Sequence, residues 1–197
     1  YLLIGINILL MIALPETYFF NGSIQTIIRS GMDLSILVLG MVFILILGEI
    51  DVSVASIMVL SCMVMGLSYQ SGLGAFLSVV LGIFCGATCG LVNGVLVTYA
   101  KMPSVIVTIA TGLLFKGIVR AVLKDTYLNT FPDFFVKLSW DDLGGVIPVS
   151  LLIFIALAII FGIVLHKTKF GRELYVIGSN KSVAKYSGIN TNLVKVA

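Results

Sequence analysis

The chain has 197 residues, of which 59% are hydrophobic and only 11% are charged, and its formal net charge is +3. Soluble globular domains carry about 25% charged residues, so this composition and the mean hydropathy of +1.17 exclude an ordinary soluble domain. They predict an all-α polytopic membrane protein. Because the chain starts at Tyr1 rather than at Met, we expect a fragment of a longer protein, truncated at both ends.

In chain order, the hydrophobic segments predict about six helices in a single transmembrane domain over residues 1–197, because a helix needs about 20 apolar residues to cross a bilayer. Residues 52–100 carry no charge and are long enough to cross twice, with a turn at Gln70-Ser71-Gly72. Residues 21–33 are predicted to be interfacial or the start of a helix, and 124–145 a polar loop. Segment 54–67 is the first of these two crossings. The other apolar segments are 1–14, which stops at Pro15-Glu16, then 34–47, 103–123 and 146–165.

Basic residues are concentrated at the end of the chain. Residues 167–197 hold six Lys or Arg and one acidic residue, whereas residues 1–166 hold six Lys or Arg and eight acidic residues. Basic segments beside spans lie on the cytoplasmic side. This predicts a multi-pass protein in the lipid bilayer of the plasma (inner) membrane, with 167–197 and 101–103 inside and 124–145 outside. Nucleic acid is not expected as a partner, because the basic segment is short and attached to a span.

Two carboxylates interrupt the longest apolar run, in the sequence Gly48-Glu49-Ile50-Asp51-Val52-Ser53. Gly48 predicts that a helix is broken or ends here, and acids two positions apart would point to different faces of a straight helix. A carboxylate at bilayer depth is costly and is usually kept for a pathway, a partner or a functional break. The alternative is a cytoplasmic turn between two spans, with both acids in water.

Small and polar residues inside the spans predict close helix packing. Glycines that recur every four residues share one helix face and let a second helix approach backbone to backbone. Thr108 and Thr111 follow Pro103, which favours a helix start, and their hydroxyls either turn a polar face inward or bond to their own helix. The glycine stripe consists of Gly82, Gly86, Gly90 and Gly94.

The sequence pattern offers no catalytic or metal site. Cys62, Cys85 and Cys89 lie in apolar segments without further metal ligands nearby, so we expect them to be packing residues. His166 is the sole histidine, and the pattern shows no catalytic partner for it. Hydrolase and phosphate-binding motifs are also missing. We therefore expect no catalytic residue, no metal and no cofactor.

Three glycines, Gly171, Gly178 and Gly188, are predicted to separate short helical pieces in the basic segment. Residues 182–186 are expected to form one short helix, which Gly188 ends. A short basic helix beneath a membrane domain is suited to dock into a groove of a partner. The alternative is a solvated loop that only sets the topology.

Residues 48–56, Gly-Glu-Ile-Asp-Val-Ser-Val-Ala-Ser, resemble a signature of ribose-type sugar importer permeases. These are ATP-binding-cassette (ABC) transporters of the branched-chain amino acid/ribose permease superfamily. Segments 101–112 and 170–189 resemble two further segments of that family in the same order, so the resemblance covers nearly the whole chain. Two residues depart from the pattern: Glu49 stands where many relatives have glycine, and Lys116 where arginine is common. Glu49 would fit a subfamily with its own substrate, such as rhamnose or the autoinducer-2 group.

This resemblance implies an ABC importer transmembrane domain, with a broken helix near residues 48–53, that moves a monosaccharide or related sugar by alternating access. The implied partners are cytoplasmic ATPase subunits bound to a coupling loop at 167–195, a second permease subunit, identical or related, and an extracytoplasmic sugar-binding protein. The subunit itself would not be an enzyme. The implied pathway residues are Glu49, Asp51, Ser53, Ser56, Thr108 and Thr111, and the implied coupling residues are Gly171, Arg172, Glu173, Gly178, Asn180, Ala184 and Gly188.

Three other functions stay open on the sequence alone. A permease for branched-chain amino acids or nucleosides would share the architecture and differ in substrate binding. An intramembrane enzyme would use Glu49 and Asp51 as paired acids, although catalytic acids must face one substrate and this spacing makes that awkward on a helix. A sensor or scaffold would not need the coupling loop.

Overall fold

The computed structural model of this protein describes residues 2–15, 23–124, 126–129, 131–143 and 147–196. Of the predicted stop of the first span at Pro15-Glu16, Glu16 lies outside those residues. Two short strands, β1 (Asp142–Leu143) and β2 (Ile147–Pro148), pair antiparallel. The helices are α1 (Leu2–Ala13), α2 (Ser23–Ile46), α3 (Val54–Gln70), α4 (Ala75–Thr98), α5 (Ser104–Leu123), α6 (Asp133–Trp140), α7 (Val149–Lys167), α8 (Lys169–Ser179), α9 (Lys181–Tyr186) and α10 (Thr191–Val196).

Four of the described helices are long and apolar enough to cross a membrane, namely α4, α5, α7 and the stretch Thr26–Ile46 of α2. Helices α1 and α3 are apolar but shorter, with 12 and 17 residues. This helix content confirms the predicted all-α polytopic membrane fold. Of the two alternatives for residues 21–33, the described part, 23–33, is the start of a helix, because Arg29 and Asp33 lie within α2.

The loop predicted at 124–145 contains regular structure, since α6 and β1 fall inside it. Arg29 fixes this region to α2: its Nη2 donates to Asp142 Oδ1 at 2.6 Å, and both side chains are largely buried. The Arg29 guanidinium also lies 5.7 Å from the centre of the Trp140 ring, within the range of a cation–π contact. Residues 132–143 are therefore packed on the spans rather than being a free loop.

Three of the described helices are followed, two residues after their last one, by a glycine in the left-handed region, where other residues are strained. Gly48, Gly72 and Gly188 have φ values of 75°, 89° and 76°. In each case the next residue donates its N–H to a carbonyl five positions back, as in Glu49 to Ile44. This pairing is the Schellman motif. It confirms the predicted helix end at Gly48, the predicted turn at 70–72 and the predicted stop at Gly188.

The connections alternate between the two ends of the bundle, as the sequence predicts. Leu128 and Phe131 pack on Gly66, one turn before the end of α3, and this end also carries the Arg29–Asp142 ion pair. At the other end, the turn after α2, the segment 101–103 and the helices α9 and α10 line shared cavities. We call the latter the basic end, because it carries the lysine-rich segment 167–196.

The glycine stripe of α4 contacts two different neighbours. A Cβ on Gly82 would lie 3.1 Å from Met65 Cβ, and one on Gly86 would lie 2.9 Å from Ser61 Oγ, so this half packs closely on α3. A Cβ on Gly94 would lie 3.2 Å from Val196 Cα in α10, whereas Gly90 has no neighbour within 4 Å. Three of the four glycines therefore lie close to a neighbouring helix, and the fourth faces a cavity.

Candidate functional site

The helix break between α2 and α3 covers residues 47–53 and lies at the basic end. The stretch of α2 that precedes it is long enough to cross a membrane unaided, so the break follows a complete span instead of dividing one. Of the two interpretations of this segment, the structure favours a turn at the end of a span. The turn is not a free loop, however, because α4, α5 and α10 enclose it.

Hydroxyls of α5 satisfy the backbone of the break. The N–H of Ile50 donates to Ser104 Oγ at 3.3 Å, and the N–H of Val52 donates to Thr108 Oγ1 at 3.2 Å. Thr108 also donates to the carbonyl of Ser104 at 2.8 Å. Its hydroxyl therefore both faces inward, towards the break, and bonds to the backbone of its own helix. Non-helical backbone near a membrane needs such partners, and the short spacing from Ser104 to Thr108 supplies them from one helix face.

Asp51 is held at the start of α3 by a chain of hydrogen bonds that leads to a buried residue of α4. Its Oδ1 accepts from the N–H of Ser53 at 2.7 Å and from Ser53 Oγ at 2.6 Å. Ser53 Oγ in turn accepts from Asn93 Nδ2 of α4 at 2.8 Å. Ser53 is fully buried and Asn93 is 5% exposed. A negative charge beside a helix N-terminus is stabilising, so this chain fixes the break to both α3 and α4.

Asn93 is a residue whose role the sequence did not single out. Its polar side chain within an apolar helix was the available signal, but most such residues merely satisfy local backbone groups. Here it bonds across 40 positions to Ser53, and its Oδ1 is buried without a hydrogen-bond partner among the described residues. It also lines the cavity beside the break.

Glu49 connects the break to the basic segment. Its Oε1 pairs with Lys195 Nζ of α10 and, at 3.4 Å, with Lys181 Nζ of α9. The side chains of Glu49 and Lys195 are only 19% and 15% exposed. Burial raises the pKa of Glu49, but hydrogen bonds from Lys195 and Ser104 and the charges of both lysines outweigh burial and leave the pKa below its ordinary 4.5. Glu49 is therefore ionised and bound to two helices more than 130 positions away.

A cavity of about 360 Å³ lies between the break, α4 and α5. Its wall is mostly apolar, and its polar groups come from the break, α4, α5 and α10. Of the predicted pathway residues, Glu49, Asp51 and Thr108 line it, together with Asn93, Ser104 and Gly90.

The other three predicted pathway residues lie in the contact between α3 and α5. Ser53 and Ser56 are buried against Gly112. The Thr111 hydroxyl donates to the carbonyl of Val107 in its own helix at 3.0 Å. The structure therefore separates a cavity-lining group from a packing group.

Two glycines of the basic segment do not separate helices, contrary to the prediction. Gly171 and Gly178 both lie inside α8, where a Cβ on Gly171 would come within 2.1 Å of the carbonyl oxygen of Leu165, and one on Gly178 within 1.8 Å of that of Ile46. Real Cβ atoms do not come so close to another atom. Their role is to let α8 pack directly on the ends of α7 and α2, and only Gly188 has the predicted role of ending a helix.

The remaining predicted coupling residues divide into structural and exposed groups. Asn180 Oδ1 accepts from the N–H groups of Ser182 and Val183 and so caps α9, and Ala184 is fully buried. Arg172 donates to the carbonyl of Lys167 at 3.3 Å and is exposed. Glu173 pairs with Lys169 at 3.6 Å.

A large part of the basic end is free of contacts within the described chain. Tyr186 of α9 is 92% exposed, and Val183 and Leu193 are also exposed apolar residues beside lysines. Contiguous apolar groups exposed at the surface mark interaction sites in soluble regions. Among the described residues, no group of three His, Cys, Asp or Glu side chains that could hold a metal comes together.

Comparison with known proteins identifies relatives along most of the chain. An autoinducer 2 import system permease protein, LsrC, of Photorhabdus luminescens is 29% identical over 187 residues, which cover 95% of this chain and 56% of the relative. LsrC of Yersinia enterocolitica is 29% identical over 183 residues, covering 93% and 51%. LsrD of Escherichia coli K12 is 33% identical over 167 residues, covering 81% and 50%.

The chain spans about half the length of the curated relatives it matches. No solved structure matches it at the same level of significance. The relatives confirm the resemblance to ABC importer permeases, and with the four apolar helices they make the chain a multi-pass protein of the inner membrane. The family described as "Branched-chain amino acid transport system / permease component" matches residues 23–197, and the chain belongs to this family.

Proposed function

We propose that the full-length protein is the permease subunit of an ABC importer that moves a monosaccharide or a related sugar-like molecule into the cell by alternating access. Residues 1–197 belong to one transmembrane domain. In the assembly, two cytoplasmic ATPases hydrolyse ATP, a second permease subunit completes the path, and an extracytoplasmic binding protein delivers the substrate. The permease itself is not an enzyme.

The observation that supports this proposal best is the direct attachment of α8–α10 to the membrane helices around the break. Gly178 packs on the last carbonyl of α2, Glu49 pairs with Lys181 and Lys195, and Val196 packs on Gly94 of α4. A cytoplasmic segment that only set the topology would not need these three contacts. A segment that passes motion from an ATPase to the spans would.

In this proposal, α9 is the part that an ATPase contacts. Its Val183 and Tyr186 are exposed apolar groups, and Lys185 adds a positive charge. Because Gly171 and Gly178 hold α8 against α7 and α2 without intervening side chains, a displacement of α9 would move α8 and the break together. Small shifts are amplified at such sites because packed interfaces switch between arrangements rather than deform.

The cavity beside the break favours a polyhydroxyl substrate over an amino acid. An amino acid carboxylate would need a cation, and Lys195, the one lysine that lines this cavity among the described residues, is already paired with Glu49. The acceptor groups of Asp51 and Asn93 suit hydroxyl donors instead. The names of the relatives, autoinducer 2 import system permeases, make autoinducer-2 a specific candidate within this class.

A permease for branched-chain amino acids remains the second candidate, because that substrate stands in the description of the matching family. An intramembrane enzyme is less well supported. The Glu49 carboxylate is bound to two lysines and Asp51 is bound to Ser53, so the two acids do not face one shared substrate site.

The test is ATP hydrolysis by the full-length permease assembled with its ATPase and its partner permease in lipid. Binding proteins loaded with autoinducer-2, ribose, rhamnose or leucine are added in turn. Stimulation of ATP hydrolysis by one sugar-class protein would support the importer and name its substrate, whereas stimulation by the leucine-loaded protein alone would favour the second candidate. An absence of stimulation with every partner would contradict the importer function.

A further inference from the structure

A second cavity, of about 450 Å³, opens at the basic end beside the first. We call it the vestibule. Glu49, Val97 and Lys195 line both cavities, so the Glu49–Lys195 ion pair lies at the wall between them. The first cavity has a mostly apolar wall, whereas the wall of the vestibule is only about half apolar and carries lysines and neutral hydrogen-bonding side chains. The remaining lining residues are Thr98, Lys101, Met102, Pro103, Lys181, Thr191 and Asn192.

The charges of the vestibule do not balance. Three lysines, Lys101, Lys181 and Lys195, line it with a single carboxylate, Glu49. Glu49 already pairs with Lys181 and Lys195, whereas Lys101 forms no ion pair among the described residues. The ammonium groups of these lysines repel one another, so the vestibule is complementary to an anion with more than one negative charge.

Neutral groups and the N-terminus of α5 add to this preference for an anion. The Thr98 hydroxyl is buried without a hydrogen-bond partner among the described residues, and Asn192 places an amide at the rim. Helix α5 begins directly after the lining segment 101–103, and the N-terminus of a helix of this length carries a partial positive charge. Lysine ammonium groups, a hydroxyl and a helix N-terminus together are the groups that bind phosphate in proteins.

We infer that the vestibule binds a phosphate-bearing anion, which competes with Glu49 for Lys181 and Lys195. The phosphate comes either from the headgroup of an anionic lipid or from a soluble phosphate compound at the cytoplasmic face. Because the anion draws both lysines from Glu49, binding loosens the connection between the break and α9–α10. The binding part of this inference does not depend on the proposed transport function.

The experiment measures binding to the full-length permease in nanodiscs through its thermal melting point. One arm uses nanodiscs of phosphatidylcholine and titrates inorganic phosphate at constant ionic strength. The other arm replaces phosphatidylcholine stepwise with phosphatidylglycerol. A saturable rise in the melting point in the first arm would assign a soluble phosphate, and a rise confined to the second would assign a lipid headgroup. No saturable change in either arm would overturn the inference.

Three variants distinguish a specific binding site from nonspecific electrostatic attraction. Lys101→Gln removes the unpaired cation and is expected to weaken binding about tenfold, as for the loss of one charged hydrogen bond. Lys167→Gln removes the same charge outside the vestibule and is expected to leave binding unchanged. Glu49→Gln removes the competing carboxylate and is expected to tighten binding. Equal effects of Lys101→Gln and Lys167→Gln, or weaker binding by Glu49→Gln, would contradict the inference.

Discussion

The carboxylate of Glu49 in the helix break pairs with the ammonium of Lys195 in α10, 146 positions away along the chain. Both side chains are mostly buried, so the pair is less screened by solvent than a surface ion pair. Since one partner lies in the break and the other in the basic segment, the energy of this pair is a measure of how strongly the two regions are connected.

The first prediction is that Glu49 and Lys195 are energetically coupled. In a double-mutant cycle with Glu49→Gln and Lys195→Met, the effects on the free energy of unfolding should be non-additive by about 1 kcal/mol, because each single change already removes the ion pair. The same cycle with Glu49→Gln and Lys185→Met serves as the control, since Lys185 forms no ion pair among the described residues. Additive effects in the first cycle would show that the contact is not energetically significant.

The second prediction concerns pH. The pKa of Glu49 in the folded state lies below the ordinary 4.5, so its ion pairs stabilise the folded state fully above pH 4.5 and lose that effect as the pH falls through the lower folded-state pKa. The difference in melting temperature between the wild type and Glu49→Gln should therefore be constant from pH 7 to about pH 5 and shrink below it. A difference that stays the same down to pH 3 would contradict the ion-pair assignment.

The third prediction is that Gly178→Ala disrupts the attachment of α8. An added Cβ would lie 1.8 Å from the carbonyl oxygen of Ile46, so α8 must move away from the end of α2, at a cost typical of overpacking, about 1–3 kcal/mol. The measurement is the melting temperature of the full-length permease together with protease sensitivity of the basic segment. Gly162→Ala, whose Cβ would meet no atom within 4 Å, should change neither.

The fourth prediction separates two neighbours in the glycine stripe. Gly86→Ala would place a Cβ 2.9 Å from Ser61 Oγ, whereas Gly90→Ala would place one in the cavity with nothing within 4 Å. The first change should lower the melting temperature slightly, because the Ser61 hydroxyl must rotate out of the contact between α3 and α4, whereas the second should not lower it. Equal losses at both positions would mean that the stripe packs as one continuous surface after all.

The fifth prediction tests the hydrogen-bond chain at Asp51. Ser53→Ala removes a donor to Asp51 and leaves the buried amide of Asn93 without its acceptor, which should cost about 1–3 kcal/mol. Ser35→Ala is the matched control, because the Ser35 hydroxyl bonds only to the backbone of its own helix at Gly31. Equal stability of the two variants would show that the Asp51 chain contributes nothing beyond local backbone bonding.

Local signals in the sequence were sufficient for the spans and the helix ends. Gly48, Gly72 and Gly188 indicate helix ends because few other residues tolerate their backbone conformation. Runs of apolar residues indicate spans. The same local logic was wrong at Gly171 and Gly178, because a glycine needed for close packing and a glycine needed for a turn are identical in a sequence. Only the neighbouring carbonyls of Leu165 and Ile46 distinguish them.

The candidate site was only partly predictable for a related reason. The carboxylates of Glu49 and Asp51 were visible as charges in an apolar run, but their surroundings were not. Lys181 and Lys195, which pair with Glu49, and Asn93, which bonds to Ser53, lie 40 to 146 positions from the residues they bond. No periodicity connects residues at such separations. Thr108 could be placed on a polar face, yet its acceptance of a bond from Val52 depends on how α5 lies against the break.

The division of the α4 stripe between α3 and α10 gives α4 the geometry of a lever. Gly82 contacts α3 and Gly94 contacts α10 on the same helix, twelve positions apart, which is about 18 Å along the axis. A rigid helix that is displaced sideways at one end tilts as a whole. A small displacement of α10 against Gly94 would therefore also move the Gly82 end of α4, inside the bilayer. The force would arrive there without any change in the length or the hydrogen bonding of α4.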